Sequence, residues 1–190
     1  MNSLFQAGLE LQQFIMGKKW PFCFIGGLAV IRWGEIRMTQ DIDLSLLTEF
    51  RNEETYIHAL LEKFTSRIPD PIDFALKNRV LLLSASNGVS VDISLSGLPF
   101  EKQMIKRATL FPFSSECSLI TCSAEDLVVL KTFADRARDW TDVEGIIIRQ
   151  GNSLDVDYII KELTPLCDLK EAPEIVDKLQ KLIKHFQSED

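Results

Sequence analysis

Histidine and cysteine are both scarce in this chain. The two histidines, His58 and His185, lie far in sequence from every cysteine, and Cys23, Cys117, Cys122 and Cys167 form no C-x-x-C pair. The ligand spacing of a zinc site is therefore missing. Scattered thiols fit a reducing compartment, and Cys23, inside an apolar run, reads as a small buried hydrophobe. Basic excess is absent too. The formal net charge of -7 argues against a surface that coats nucleic acid through its phosphates, while leaving room for a local basic groove. No apolar run approaches a membrane span, and no basic segment followed by an apolar core opens the chain. The expected location is cytoplasmic, with no membrane partner. Internal repeats and low-complexity linkers are also lacking. What is present is an ordinary globular composition over 190 residues, enough for one compact domain or a small domain with a helical appendage.

Apolar periodicity organises the chain. Residues 3–16 have helical spacing. After the breaker at Gly17–Pro21, the run Phe22–Ile25 reads as a buried strand closed by Gly26-Gly27, with a short helix from Leu28 to Trp33 that Gly34 stops. Asp41–Leu47 alternates strictly, with Ile42, Leu44 and Leu46 on one face. A helix is expected over 53–67, ended by Pro69 and Pro71. Asn87-Gly88, between strand-like runs at 79–85 and 89–95, predicts a hairpin with a type I′ turn. A helix over 99–108 and a strand over 118–122 follow. From Ser123, whose hydroxyl and Asp126 suggest an N-cap, helices are expected at 124–138, 139–150, 154–166 and 173–187, punctuated by Gly151, Pro165 and Pro173. The expected organisation is an α/β core over 1–115 and a helical part over 116–190, which could pack with the core as one unit.

The chemistry centres on carboxylates. Asp41 and Asp43 are two apart on a strand, so their side chains point the same way. Two like charges side by side repel, and the apolar opposite face anchors the strand in a core. A divalent cation is the obvious compensation, since Mg²⁺ favours carboxylate oxygens together with substrate phosphates. Asp92 shares the polar face of its strand with Ser90 and Ser94. If that strand neighbours 41–47, three carboxylates gather on one sheet face, which suits two metals roughly 3.5–4 Å apart. If the hairpin register differs, Asp73 is the alternative third acid. Taken alone, a D-x-D on a strand is more often a solvated polar face.

Upstream, Gly26-Gly27 follow a strand and precede a helix, where glycine allows close backbone approach and helix N–H groups favour phosphate. A lone Gly-Gly would be a plain turn. Here thirteen residues (28–40) separate it from Asp41-Ile42-Asp43-Leu44. That arrangement resembles the signature of the DNA polymerase beta-type nucleotidyltransferase superfamily. It is most similar to the AbiEii-type, abortive-infection branch, through Arg37, Thr39, Asp41 and Asp43. The likeness extends more weakly to Glu125–Lys131, Arg136–Asp139 and Asp142, and so covers roughly residues 22–145, with a gap from 48 to 88.

The resemblance implies a small α/β (α+β) fold, a mixed sheet flanked by helices, with a C-terminal helical part. It further implies that Gly26 and Gly27 hold the triphosphate of an NTP and that Asp41 and Asp43 hold one or two Mg²⁺ (or Mn²⁺) ions. Asp92 would complete the metal site and act as, or position, the base. Lys131 either reaches the triphosphate or snorkels at the edge of a core. Arg37 either contacts phosphate or pairs with an acid, and Thr39 would orient the Asp41 strand. Asp139 and Asp142 share a helix face and are expected to pair with Arg136, Arg138 or Lys131.

Three functions follow. The first is transfer of an NMP to a hydroxyl on RNA (a tRNA 3′ end, for instance), a protein or a small molecule; the AbiEii likeness points towards a toxin with an antitoxin partner. The second is an NTP-binding regulatory module with little turnover. The third is a structural domain whose acidic pair is surface decoration. Fold analogy alone does not choose among acceptors.

Overall fold

The computed structural model describes residues 2–187. By its internal contacts the chain divides into two units: residues up to Leu28 together with Met38–Cys122, and Ala29–Arg37 together with the chain from Ser123.

The first unit is built on a seven-stranded mixed sheet. Its strands are β1 (Phe22–Phe24), β2 (Asp41–Leu47), β3 (Thr65–Ser66), β4 (Val80–Ser84), β5 (Ser90–Ser96), β6 (Thr109–Ser114) and β7 (Cys117–Thr121), in the order β3-β4-β5-β2-β1-β7-β6. Strand β2 sits in the middle, antiparallel to β1 and parallel to β5. Ile42, Leu44 and Leu46 are fully buried, as the alternation predicts; on the other face Asp41 is exposed and Asp43 half-buried, but Ser45 is buried, hydrogen-bonded to Ser96. Helix α1 (Ser3–Gly17) starts where the Asn2 side chain accepts from the Leu4 N–H, a standard N-cap. It lays Leu4, Ala7, Leu11 and Ile15, spaced three to four apart, into the same core as Ile42, Leu44, Ile93 and Leu119. Each such leucine or isoleucine contributes about 1.5–3 kcal/mol by leaving water. That core fixes which face of β2 is left for chemistry.

Between β2 and β5 the chain differs from expectation. The helix read at 53–67 stops at Leu61 as α3 (Glu53–Leu61), and Thr65–Ser66 pairs with β4 as a strand. Pro71 does not merely end a helix; it starts α4 (Pro71–Asn78). Proline suits the first helical turn, where its missing N–H has no intrahelical partner to lose. The Asn87-Gly88 hairpin forms, but not with a type I′ turn: among the described residues only Gly88 of the pair has positive φ, at 82°. Gly88 N–H donates to the Ala85 carbonyl and Ala85 N–H to the Val89 carbonyl. This is a three-residue loop closed by a left-handed glycine. Helix α5 (Pro99–Arg107) matches expectation, whereas β6 was not anticipated. Pro112 disguises β6 in the sequence, and it is tolerated because β6 is the sheet's edge strand, with a register shift at that point.

In the second unit, α2 (Gly26–Trp33), which begins in the first, leads into the segment to Arg37; with it are α6 (Ala124–Ala134), α7 (Ala137–Gln150), α8 (Val156–Leu169) and α9 (Glu174–Gln187). Ser123 accepts from Asp126 N–H as the N-cap of α6. The helix expected to run to 138 stops at Ala134, because Asp135 turns left-handed (φ 56°) and its carboxylate accepts from Trp140 Nε1 at 2.6 Å. Pro165, expected as punctuation, lies inside α8. Among the described residues no helix is long and apolar enough to cross a membrane.

Candidate functional site

The parallel pairing of β2 with β5 sets Asp41 level with Ser90 and Asp43 level with Asp92. Paired residues in adjacent strands point to the same face and lie roughly 4.8 Å apart in the strand-to-strand direction. Asp43 and Asp92 are therefore side by side, with Asp41 two residues along. Thr39 donates its hydroxyl to the Asp41 carboxylate at 3.0 Å and so orients it. Asp73, the alternative third acid, stands exposed in the first turn of α4, off the sheet.

The glycines sit against this row. Gly26 has φ 55°, and a Cβ on it would lie 2.7 Å from Asp43 Cβ and overlap the carboxylate; a Cβ on Gly27 would overlap the Thr39 hydroxyl and lie 2.7 Å from its Cβ. Both glycines are thus needed for close approach to the acidic strand, and Gly26 also for its left-handed backbone. The turn opens α2, so the helix's first N–H groups are presented beside Asp43.

A residue that sequence reading missed completes the row. Arg67 pairs with the Asp92 carboxylate. Its main-chain N–H donates to the Leu82 carbonyl, and Leu82 is in register with Asp92. Arg67, just past the end of β3, lies in line with Leu82, Asp92 and Asp43 across β4, β5 and β2. Nothing local marks Arg67: it lies at the end of a stretch that reads as helix, and only the pairing of Thr65–Ser66 with β4 brings it here. Burial raises the pKa of Asp92 and the charge of Asp41 adds to this, against the pull of Arg67; the net shift is upward. A cleft of about 430 Å³ opens beside the row, lined by Gln40, Asp41, Arg67, Asn87 and Ser90 among others. Among the described residues no three His, Cys, Asp or Glu side chains are gathered into a metal-binding group.

The helical unit holds Arg37 and Lys131, the two cations expected at the nucleotide. Lys131, 9% exposed, pairs with Asp139 and Asp142, each at 2.8 Å. Arg37 grips Asp142 with two hydrogen bonds, Nε at 2.8 Å and Nη2 at 3.0 Å. Arg136 pairs with Asp139 at 2.5 Å. Burial alone would raise both aspartates. The hydrogen bonds and charges of Arg136 and Lys131 on Asp139, and of Arg37 and Lys131 on Asp142, outweigh it and hold both below the usual range. Arg37 thus has an acid as its partner here, and Lys131, expected to reach the triphosphate or to snorkel at a core edge, is buried against two carboxylates.

Comparison with known proteins bears on the fold and the family. The solved structure of an antigenic nucleotidyltransferase-like protein from Paracoccidioides brasiliensis is similar to this chain, with a TM-score of 0.52 at 15% identity over 93% of this chain and 91% of that one. So is a lincomycin-bound lincosamide antibiotic adenylyltransferase, LnuA, with a TM-score of 0.52 at 12% identity over 74% and 94%. At these identities the likeness establishes the fold. No curated protein matches the sequence. The model of a family described as a nucleotidyltransferase of unknown function (DUF6036) matches residues 2–187, so the chain belongs to that nucleotidyltransferase family over nearly all of its length.

Proposed function

We propose that this nucleotidyltransferase moves an NMP from a metal-bound NTP to a hydroxyl of an acceptor. The observation that carries the reading is the register of Asp43 with Asp92, with Asp41 on the same face and Gly26 packed against the Asp43 carboxylate. The donor set fits a divalent cation by type: carboxylate oxygens on one rigid sheet face, one of them already oriented by Thr39. Asp41 and Asp43 would hold Mg²⁺ or Mn²⁺, and Asp92 would join them on releasing Arg67. The ion would supply charge neutralisation at the phosphates.

The protein's own part is positioning. Gly26 and Gly27 cradle phosphate oxygens with main-chain N–H groups at the start of α2. Asp92, in register with Asp43, would take up or position the acceptor hydroxyl's proton. The acceptor oxygen bonds to the α-phosphorus as the bond to the pyrophosphate oxygen breaks. A cytoplasmic location suits this use of NTP. The AbiEii-type motif from Arg37 to Leu44 supports a toxin-like role with an antitoxin partner as one setting for the activity.

A second reading, an NTP-binding regulatory module with little turnover, is favoured by one observation: Arg67 already neutralises Asp92. One experiment separates the two. The purified chain is incubated with each α-³²P-labelled NTP, Mg²⁺ or Mn²⁺, and a mixture of RNA, protein and small hydroxylated molecules, beside Asp43→Ala. Label transfer lost in the variant supports the enzyme. Mg–NTP binding by calorimetry without transfer supports the module. Absence of binding would sink both.

A further inference from the structure

Resting on the nucleotidyl-transfer reading, we propose that Arg67 and the cleft beside it form the acceptor subsite, and that the acceptor is a small polar molecule bearing an anionic group, phosphate or carboxylate, near its reacting hydroxyl.

Position comes first. Across the sheet the order is Gly26, Asp43, Asp92, Leu82, Arg67, with Gly26 against the Asp43 carboxylate at one end. Arg67 is three strands from Asp43, roughly 14 Å at the usual strand spacing. In an in-line displacement the attacking and leaving oxygens lie on opposite sides of the phosphorus. If the triphosphate is held by Gly26 and Gly27, pyrophosphate leaves on their side and the acceptor hydroxyl arrives from the Asp92 side. Arg67 therefore stands on the acceptor's flank, away from the triphosphate.

Charge comes next. Arg67, with its side chain 31% exposed, has the Asp92 carboxylate as its partner. When Asp92 turns to the reaction, the guanidinium needs another anion. A guanidinium matches phosphate or carboxylate in a planar, two-pronged fashion that a neutral or cationic acceptor does not satisfy. Among the described residues lining the cleft Arg67 is the one cation and Asp41 the one carboxylate, which the proposed metal ion would engage; Gln40, Asn87 and Ser90 add neutral hydrogen-bonding groups.

Size and net charge then select the class. The cleft's volume, about 430 Å³, is that of a small-ligand site. Tracking a polynucleotide takes a run of cations, and this cleft offers one, on a chain of net charge -7. The segment Thr65–Asn78, which lengthens the chain between Asp43 and Asp92, thereby gains a role: it carries Arg67 to the site.

The test measures pyrophosphate release by the full chain with Mg²⁺ and each NTP against four acceptor probes: glucose 6-phosphate, glucose, kanamycin and an RNA oligonucleotide with a free 3′ hydroxyl. Glucose 6-phosphate is expected to be preferred over glucose. Arg67→Ala should raise its KM by about 10- to 100-fold, the loss of one charged hydrogen-bonding contact, with a smaller effect on kcat. Arg67→Lys should recover part of the loss, and Arg67→Glu should shift preference towards kanamycin. Calorimetry gives an activity-independent readout: glucose 6-phosphate should bind the Mg–NTP-analogue complex of the wild type and not that of Arg67→Ala. Equal use of glucose and glucose 6-phosphate, preference for the oligonucleotide, or a KM indifferent to Arg67 overturns the proposal while leaving nucleotidyl transfer intact. Failure to bind Mg–NTP at all removes the parent reading and this one with it.

Discussion

Asp43 and Asp92 are side by side on parallel strands, 49 positions apart in the chain and in register across β2 and β5. If this pair is the catalytic centre, Asp43→Asn and Asp92→Asn should each lower nucleotidyl transfer by about 10²-fold or more, the usual scale for losing a key electrostatic contact. Neither should lower the melting temperature appreciably: each substitution relieves like-charge repulsion, and the Arg67 pair that Asp92→Asn also gives up is partly exposed, worth about 0–1 kcal/mol. A variant that melts early would point instead to a structural role.

Gly26→Ala tests the close approach of the glycine turn to the acidic strand. The left-handed backbone of Gly26 costs an L-residue roughly 1–2 kcal/mol, and the new methyl must push Asp43 aside. Thermal unfolding should show the loss, and Mg–NTP affinity should fall with it. Unchanged affinity would mean that the Asp43 carboxylate need not stand where it does.

Removing Lys131 should be expensive. Lys131→Met leaves Asp139 (1% exposed) and Asp142 (6% exposed) buried with only their arginine partners, and breaking such a buried pair costs about 3–5 kcal/mol. Adding Asp142→Asn should cost further stability, because it strips Arg37 of the carboxylate that it grips with two hydrogen bonds. A double variant as stable as the single one would refute this account of the network.

Acid should weaken the same unit, and the sign follows from the direction of the shifts. Asp139 and Asp142 titrate below their ordinary values in the folded protein. Their contribution is fully present above the unfolded value, about 3.9, and is lost as pH falls through the lower folded value. Stability followed by circular dichroism should therefore drop below about pH 4 and drop less in Asp139→Asn/Asp142→Asn. Equal acid sensitivity of the two proteins would remove these residues from the explanation.

The sequence by itself determined the central motif. Strict alternation places Asp41 and Asp43 on one face because side chains on a strand repeat every two residues. Gly26-Gly27 at a fixed distance upstream, the Asn87-Gly88 hairpin, the Ser123 cap and the helices at 3–17 and 174–187 are all local signals that one stretch of chain carries. The nucleotidyltransferase superfamily was legible there too. Tertiary structure alone decided the rest. Strand β3 is two residues long and exists because β4 offers a partner. Strand β6 hides behind Pro112 because an edge position forgives the missing N–H. Asp92 meets Asp43, and Arg67 meets Asp92, only through strand order and register, which no local pattern encodes. Lys131 and Arg37 meet Asp139 and Asp142 only through the packing of helices, because a buried cation is stable only where folding brings carboxylates to it.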